Sequence, residues 1–149
     1  YLMVAGHFPV YSVCEHGNTG NLLTNLQPLL IKYNVNAYMA GHDHCLSSVV
    51  DKNSTHIHYF VSGAANTCCT NSSHLDDIPE DVDLSWYVSN KNNKAGPDEQ
   101  RVQGGFSSIQ IDPSTSNGLV FSFYNEDGVL LYENEAGTMM PRTKEQKKE

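Results

Sequence analysis

The apolar positions of this chain fall into short blocks. Residues 2–5 are a continuous apolar run closed by Gly6, the pattern of a buried strand. From Leu22 the apolar residues sit at 22, 26, 29, 30 and 33, the repeat of one helical face, and are expected to pack into a core. Pro28 lies inside that stretch, so a kink or a broken first turn is expected, and Asn34 ends the helix. Residues 37–40 read as a second short buried strand. Residues 46–50 and 56–62 alternate around Lys52-Asn53-Ser54 as a hairpin. Residues 66–104 are rich in Asn, Ser, Asp and Gly with little periodicity, and read as loop with one short element near Trp86. Residues 106–111, 119–124 and 129–132 form a closing meander, with turns at Asp112-Pro113 and Asp127-Gly128. The whole is an α/β chain, strand–helix–strand followed by a mostly antiparallel part, with no internal repeat. Residues 1–140 read as the C-terminal part of a larger domain and 141–149 as a disordered tail.

Composition narrows what such a chain can be. Leu, Ile, Val and Phe make up 34 of 149 residues, enough for a core. The net charge is −8, and the basic tail hides a body of −10, because residues 1–140 hold 5 basic and 15 acidic side chains. That balance excludes a general nucleic-acid surface, which needs Lys and Arg against phosphates. No apolar run approaches the ~18 residues of a membrane span. The chain opens on Tyr1 with a strand-like run and no leader pattern, so it reads as part of something longer, and a compartment signal, if it had one, would lie upstream. Of the four cysteines, Cys68 and Cys69 are adjacent and too close for easy pairing with one another, and all four are expected to be buried or free thiols. Asn53 and Asn71 each begin an Asn-x-Ser/Thr sequon and are glycosylation candidates.

The candidate chemistry lies in histidines after the first two strands. His7 follows the first strand and His42 and His44 follow the second, each group preceded by a glycine. In a strand–helix–strand crossover the loops at the carboxyl ends of both strands open on one sheet edge. Residues two apart in extended chain point to one side, so His42 and His44 can face one cavity together with His7. Three converging neutral imidazoles make a good transition-metal grip. His16, in a polar Glu15-His16-Gly17 turn, is either a fourth ligand or a proton donor. His56, His58 and His74 are assigned no role. The acidic run Asp76, Asp77, Glu80, Asp81 and Asp83 lacks the order of a calcium loop and reads as solvated.

The motifs Val4-Ala5-Gly6-His7-Phe8-Pro9-Val10, Glu15-His16-Gly17, Ala40-Gly41-His42-Asp43-His44 and Val61-Ser62-Gly63-Ala64-Ala65-Asn66 resemble the C-terminal half of the tartrate-resistant (purple) acid phosphatases, in the metallophosphoesterase superfamily. Gly104-Gly105-Phe106 is similar to the family's strand before its final hairpin. The resemblance implies the C-terminal part of a four-layer αββα sandwich and hydrolysis of phosphate monoesters at a dinuclear centre of Fe(III) with a divalent metal (Fe, Zn or Mn). It makes His7 and His42 ligands of the divalent metal and His44 a ligand of the ferric iron. His16 would contact substrate phosphate or protonate the leaving oxygen. Family members are secreted or lysosomal glycoproteins.

The departures are equally definite. The family's bridging aspartate, iron-binding tyrosine and further ligands come from motifs N-terminal to this segment, so the N-terminal half of the same parent is an expected partner. This chain alone is expected to be inactive, because three histidines without bridging carboxylates cannot set two metals ~3.5–4 Å apart. Asn21 replaces the family cysteine after the Glu-His-Gly turn, which removes its usual disulfide, and Cys45 stands where asparagine is common. Alternatives are a non-catalytic secreted or matrix protein that keeps the scaffold, and a phosphodiesterase or nucleotidase of the same superfamily.

Overall fold

A five-stranded mixed sheet carries the first part of the chain. The computed structural model describes residues 1–52, 56–92, 94–95, 100–112, 118–134 and 139–148. Strand β1 (Met3–Gly6) connects through helices α1 (Gly20–Asn25) and α2 (Gln27–Lys32) to the parallel strand β2 (Ala37–Ala40). β3 (Leu46–Asp51) runs outward and returns as β4 (His58–Ser62), which lies between β2, parallel, and β3, antiparallel. β5 (Val82–Tyr87) adds to the far edge, giving the order β1-β2-β4-β3-β5. After a ribbon of β6 (Lys94–Ala95) and β7 (Gln100–Arg101), the strands β8 (Gly105–Asp112), β9 (Gly118–Asn125) and β10 (Leu130–Glu133) make an antiparallel sheet in the order β10-β9-β8.

Strand alternation divides the core in two. Met3, Ala37, Met39 and Phe60 face the small sheet, where they pack with Leu119, Phe121 and Phe123. Phe60 stacks on Phe121 with ring centroids 3.7 Å apart, and Trp86 stacks on Phe123 and Tyr132. Val4, Tyr38, Val49 and Tyr59 face the other way, toward Leu22, Leu26 and Leu30 of the helices. Helices, large sheet and small sheet therefore form three successive layers, the C-terminal share of an αββα sandwich. Among the described residues no helix is long and apolar enough to cross a membrane.

Three expectations need correction. The helix is two six-residue helices, with the break at Leu26 and Pro28 in the first turn of α2, where its missing N–H costs nothing. The break restarts the helical register, so the apolar residues do not share one buried face. Leu30 is buried, Leu22 and Leu26 are half-buried, and Leu29 is 48% exposed. The stretch 66–104 holds more structure than its composition suggested, including β5, the ribbon, and a one-turn 3-10 helix at Leu75–Asp77. Finally, Cys14 and Cys45 are not thiols. They are joined by a buried disulfide across 31 residues of sequence, leaving Cys68 and Cys69 free. The hairpin β3–β4 is present, but its turn at Asn53-Ser54 and the Pro113 turn fall outside the described residues. The Asp127-Gly128 turn closes on Asn125, whose Oδ1 accepts from the N–H groups of Asp127 and Val129. Near the C-terminus, Asn36 Nδ2 donates to the Met140 carbonyl at 2.7 Å.

Candidate metal centre

β1, β2 and β4 are parallel, so their carboxyl ends open together, and each end carries a glycine motif. Gly41 N–H donates to the His7 carbonyl at 3.1 Å, which ties the two Gly-His loops into one rim. Gly63 brings the end of β4 against this rim. A Cβ there would lie 2.0 Å from the Asp43 carbonyl oxygen, so only glycine fits. The His42 backbone sits at φ +59, a left-handed conformation unusual for a residue other than glycine and commonest at working sites.

The side chains converge from this frame. His42 Nδ1 and His7 Nε2 lie 3.2 Å apart. The rings of His16 and His42 are 4.5 Å apart between centroids. His7, His16, His42 and His44 line one open depression of about 530 Å³, with Glu15 and Ser62 at its wall. The donor atoms of His16, His42 and Asp43 lie within 4.8 Å of one another. Phe8 packs against both His7 and His42, with ring centroids 5.0 Å and 4.3 Å away. A larger hollow of about 890 Å³ opens at the amino ends of β2 and β4, lined by His56, His58, Asn134 and Arg142, well away from the converging imidazoles.

The donor set suits a transition metal. Two nitrogens on one tetrahedral ion at ~2.0–2.1 Å lie roughly 3.3 Å apart, close to the separation between His7 and His42. Two imidazoles this near each other, on an exposed rim, need a shared proton or a shared cation between them.

Asp43 is a candidate site residue that sequence reasoning missed. It is fully buried, and its carboxylate accepts from the Ser12 hydroxyl, from the His16 backbone N–H at 3.2 Å and from His16 Nδ1. No local spacing signalled it: the backbone bends at 42–44, with His42 left-handed, and Asp43 turns inward, where a buried carboxylate must find donors. Because the Asp43 carboxylate can only accept, it holds a proton on Nδ1 and leaves Nε2 as the other His16 nitrogen. The disulfide lies directly beneath. Cys14 precedes Glu15-His16, and Cys45 follows His44, so a covalent bond joins the two loops that carry all four histidines.

Of the histidines assigned no role, His58 is buried and stacked on Phe60, and His56 is exposed on the hairpin. His74 packs under the Glu15-His16-Gly17 turn. Asn71 is exposed, while Asn53 falls outside the described residues.

No family model matches the chain. Individual proteins do. Tartrate-resistant acid phosphatase type 5 of Oryctolagus cuniculus is 39% identical over 113 residues, covering 76% of this chain and 31% of that protein. The Homo sapiens protein of that name is 32% identical over 142 residues, 95% of this chain and 38% of its own length. The chain is related to the tartrate-resistant, purple acid phosphatases. Purple acid phosphatase 4 of Arabidopsis thaliana extends the likeness to plants, at 30% identity over 93% of this chain and 35% of that protein. The chain thus spans about a third of the length of the curated relatives it matches. Among solved structures, "GAP50 the anchor in the inner membrane complex of Plasmodium" superposes with a TM-score of 0.69. It covers 97% of this chain and 38% of that one, and at 20% identity the match speaks for the fold alone.

Proposed function

We propose that this chain forms one wall of the active site of an acid phosphatase that hydrolyses phosphate monoesters. The observation that carries the reading is the convergence of His7, His16, His42 and His44 at the carboxyl ends of β1 and β2. In this reading His7 and His42 hold a divalent metal (Fe, Zn or Mn) and His44 holds Fe(III). When bound, such a pair polarises phosphoryl oxygens and lowers the pKa of an attacking water. The carboxylate and tyrosine ligands are assigned to the N-terminal half of the same parent protein, which also covers the free edges of β1 and β8.

The chain's own contribution is orientation and proton handling. Asp43 holds a proton on His16 Nδ1 and so orients the ring, and in the imidazolium form Nε2 carries the proton given to a phosphate oxygen or to the departing alkoxide. Ser12 holds Asp43 in turn, through the opposite carboxylate oxygen. Phe8 shields one side of the His7–His42 pair from water. A secreted or lysosomal location is supported by the buried Cys14–Cys45 disulfide, which persists in oxidising compartments. Exposed Asn71 is the sequon offered for glycosylation.

A second reading is a non-catalytic protein on the same scaffold, favoured by the anchor role of the Plasmodium neighbour of like fold. One experiment separates the two. The full-length parent, loaded with iron and zinc, is expected to cleave p-nitrophenyl phosphate at acid pH. It should lose at least ~10²-fold in kcat on His42→Ala, together with about half its bound metal. An inert parent, or a parent indifferent to His42→Ala, would discard the phosphatase reading.

A further inference from the structure

His74 belongs to the stretch that composition left unassigned, and it touches both neighbours of His16. Its backbone N–H donates to the Val13 carbonyl at 3.2 Å. Its ring lies against Gly17, whose φ is +68 and where an added Cβ would fall 2.7 Å from His74 Nδ1. Its Nε2 is 3.1 Å from the Glu15 carbonyl oxygen, and its Nδ1 is 2.6 Å from Asp77 Oδ2. Asn18 Nδ2 adds a bond to the Asp77 carbonyl at 2.8 Å, so residues 74–77 clasp the turn along its length.

The chemistry of those two ring contacts fixes the charge. A carbonyl oxygen and a carboxylate oxygen are both acceptors only, so both ring nitrogens must donate, and only the imidazolium does that. A neutral ring can keep one bond and must present a lone pair to the other oxygen. We propose that His74, in its protonated form, is a positioning residue for His16. It holds the Glu15-His16-Gly17 turn in register with Asp43, and its deprotonation releases that turn. The proposal rests on the role given above to His16.

The surrounding charges act in one direction. Asp77 pairs with the ring, Glu15 and Asp43 lie on the facing loops, and Asp76 sits on its own short helix. The hydrogen bond to Asp77 is the main cause that lifts the His74 pKa above its ordinary value. Desolvation, the next largest effect, opposes it, and the Glu15 contact and the negative field of Asp77 and Asp43 add to the rise. A group whose pKa is raised by folding holds its contacts fully below the unfolded value and loses them as pH climbs through the folded one. The turn is therefore clasped at acid pH and freed on the alkaline side, the direction an acid phosphatase would use.

Two substitutions separate the donor from the charge. His74→Gln keeps an N–H near the Nε2 position at every pH, and Asp77→Asn keeps an acceptor while removing the negative charge. In the full-length protein, labelled for NMR, the His74 ring and the His16 backbone amide are expected to titrate with one midpoint, above ~6.5. Asp77→Asn should lower that midpoint, and the alkaline limb of kcat should move down with it. His74→Gln should abolish the shared titration while keeping acid-side kcat within a few fold. His74→Asn, too short to reach Glu15, should lower acid-side kcat about tenfold with KM little changed. A His16 amide blind to the titration of His74, or an alkaline limb unmoved by both Asp77→Asn and His74→Gln, overturns the proposal. A parent with no phosphatase activity at any pH removes only the reading of the site, because the amide titration still decides the clasp.

Discussion

Asp43 shows how much a single buried side chain can organise. Its two oxygens accept from Ser12, from the His16 backbone and from the His16 ring, so one carboxylate sets the tautomer and the placement of the proposed proton donor. Asp43→Asn keeps the volume but offers an amide that can turn an N–H toward Nδ1. It should cut kcat of the parent by roughly 10²-fold while leaving the fold intact, as checked by steady-state kinetics beside circular dichroism. The His7 and His42–His44 groups were legible in the sequence, because each group follows an apolar run and a glycine at a strand end. Asp43 and His74 were not. Their roles come from partners 27 and 59 residues away, at His16 and Glu15, and no local spacing encodes those meetings. The free thiol Cys68 shows the same dependence on surroundings, since burial, with Cys69 and Glu126 nearby, pushes its pKa up to about 11.

At the scale of elements, β1, β2 and the β8–β10 meander were readable because each is a short apolar or alternating run closed by turn residues. The helix was only half readable. Pro28 announced a break, but the change of face that exposes Leu29 depends on where the second helix docks. The partner of each cysteine was invisible for the same reason, since pairing follows from two loops meeting at one sheet edge. That disulfide closes a loop of 31 residues, and loop-closure entropy values it at about 3–4 kcal/mol. Replacing both Cys14 and Cys45 with Ser is expected to lower stability by that order in urea unfolding. Zinc affinity should fall as well, read by competition with a chelator, because the His16 and His44 loops lose their tether. Unchanged zinc affinity would mean that hydrogen bonds alone hold the site.

As a whole molecule, the chain leaves strand edges open. Among the described residues β1 and β5 border the large sheet and β8 and β10 the small one, each paired on one side. Ile109 and Ile111 of β8, which share the face of Phe121 and Leu119, are 36% and 46% exposed. Phe106 and Leu130 expose about half their surface on the opposite face. A strand edge with unpaired N–H and C=O groups beside bare apolar side chains invites pairing with another chain. Expressed alone, the 149 residues are therefore expected to self-associate, as light scattering after size exclusion would report. A monodisperse monomer at micromolar concentration would show that these edges are protected. The Cys14–Cys45 bridge adds a practical corollary. Protein made in a reducing bacterial cytosol would emerge with its two histidine loops unlinked, so a sluggish preparation from that source would report on the host's redox chemistry before it reported on the gene.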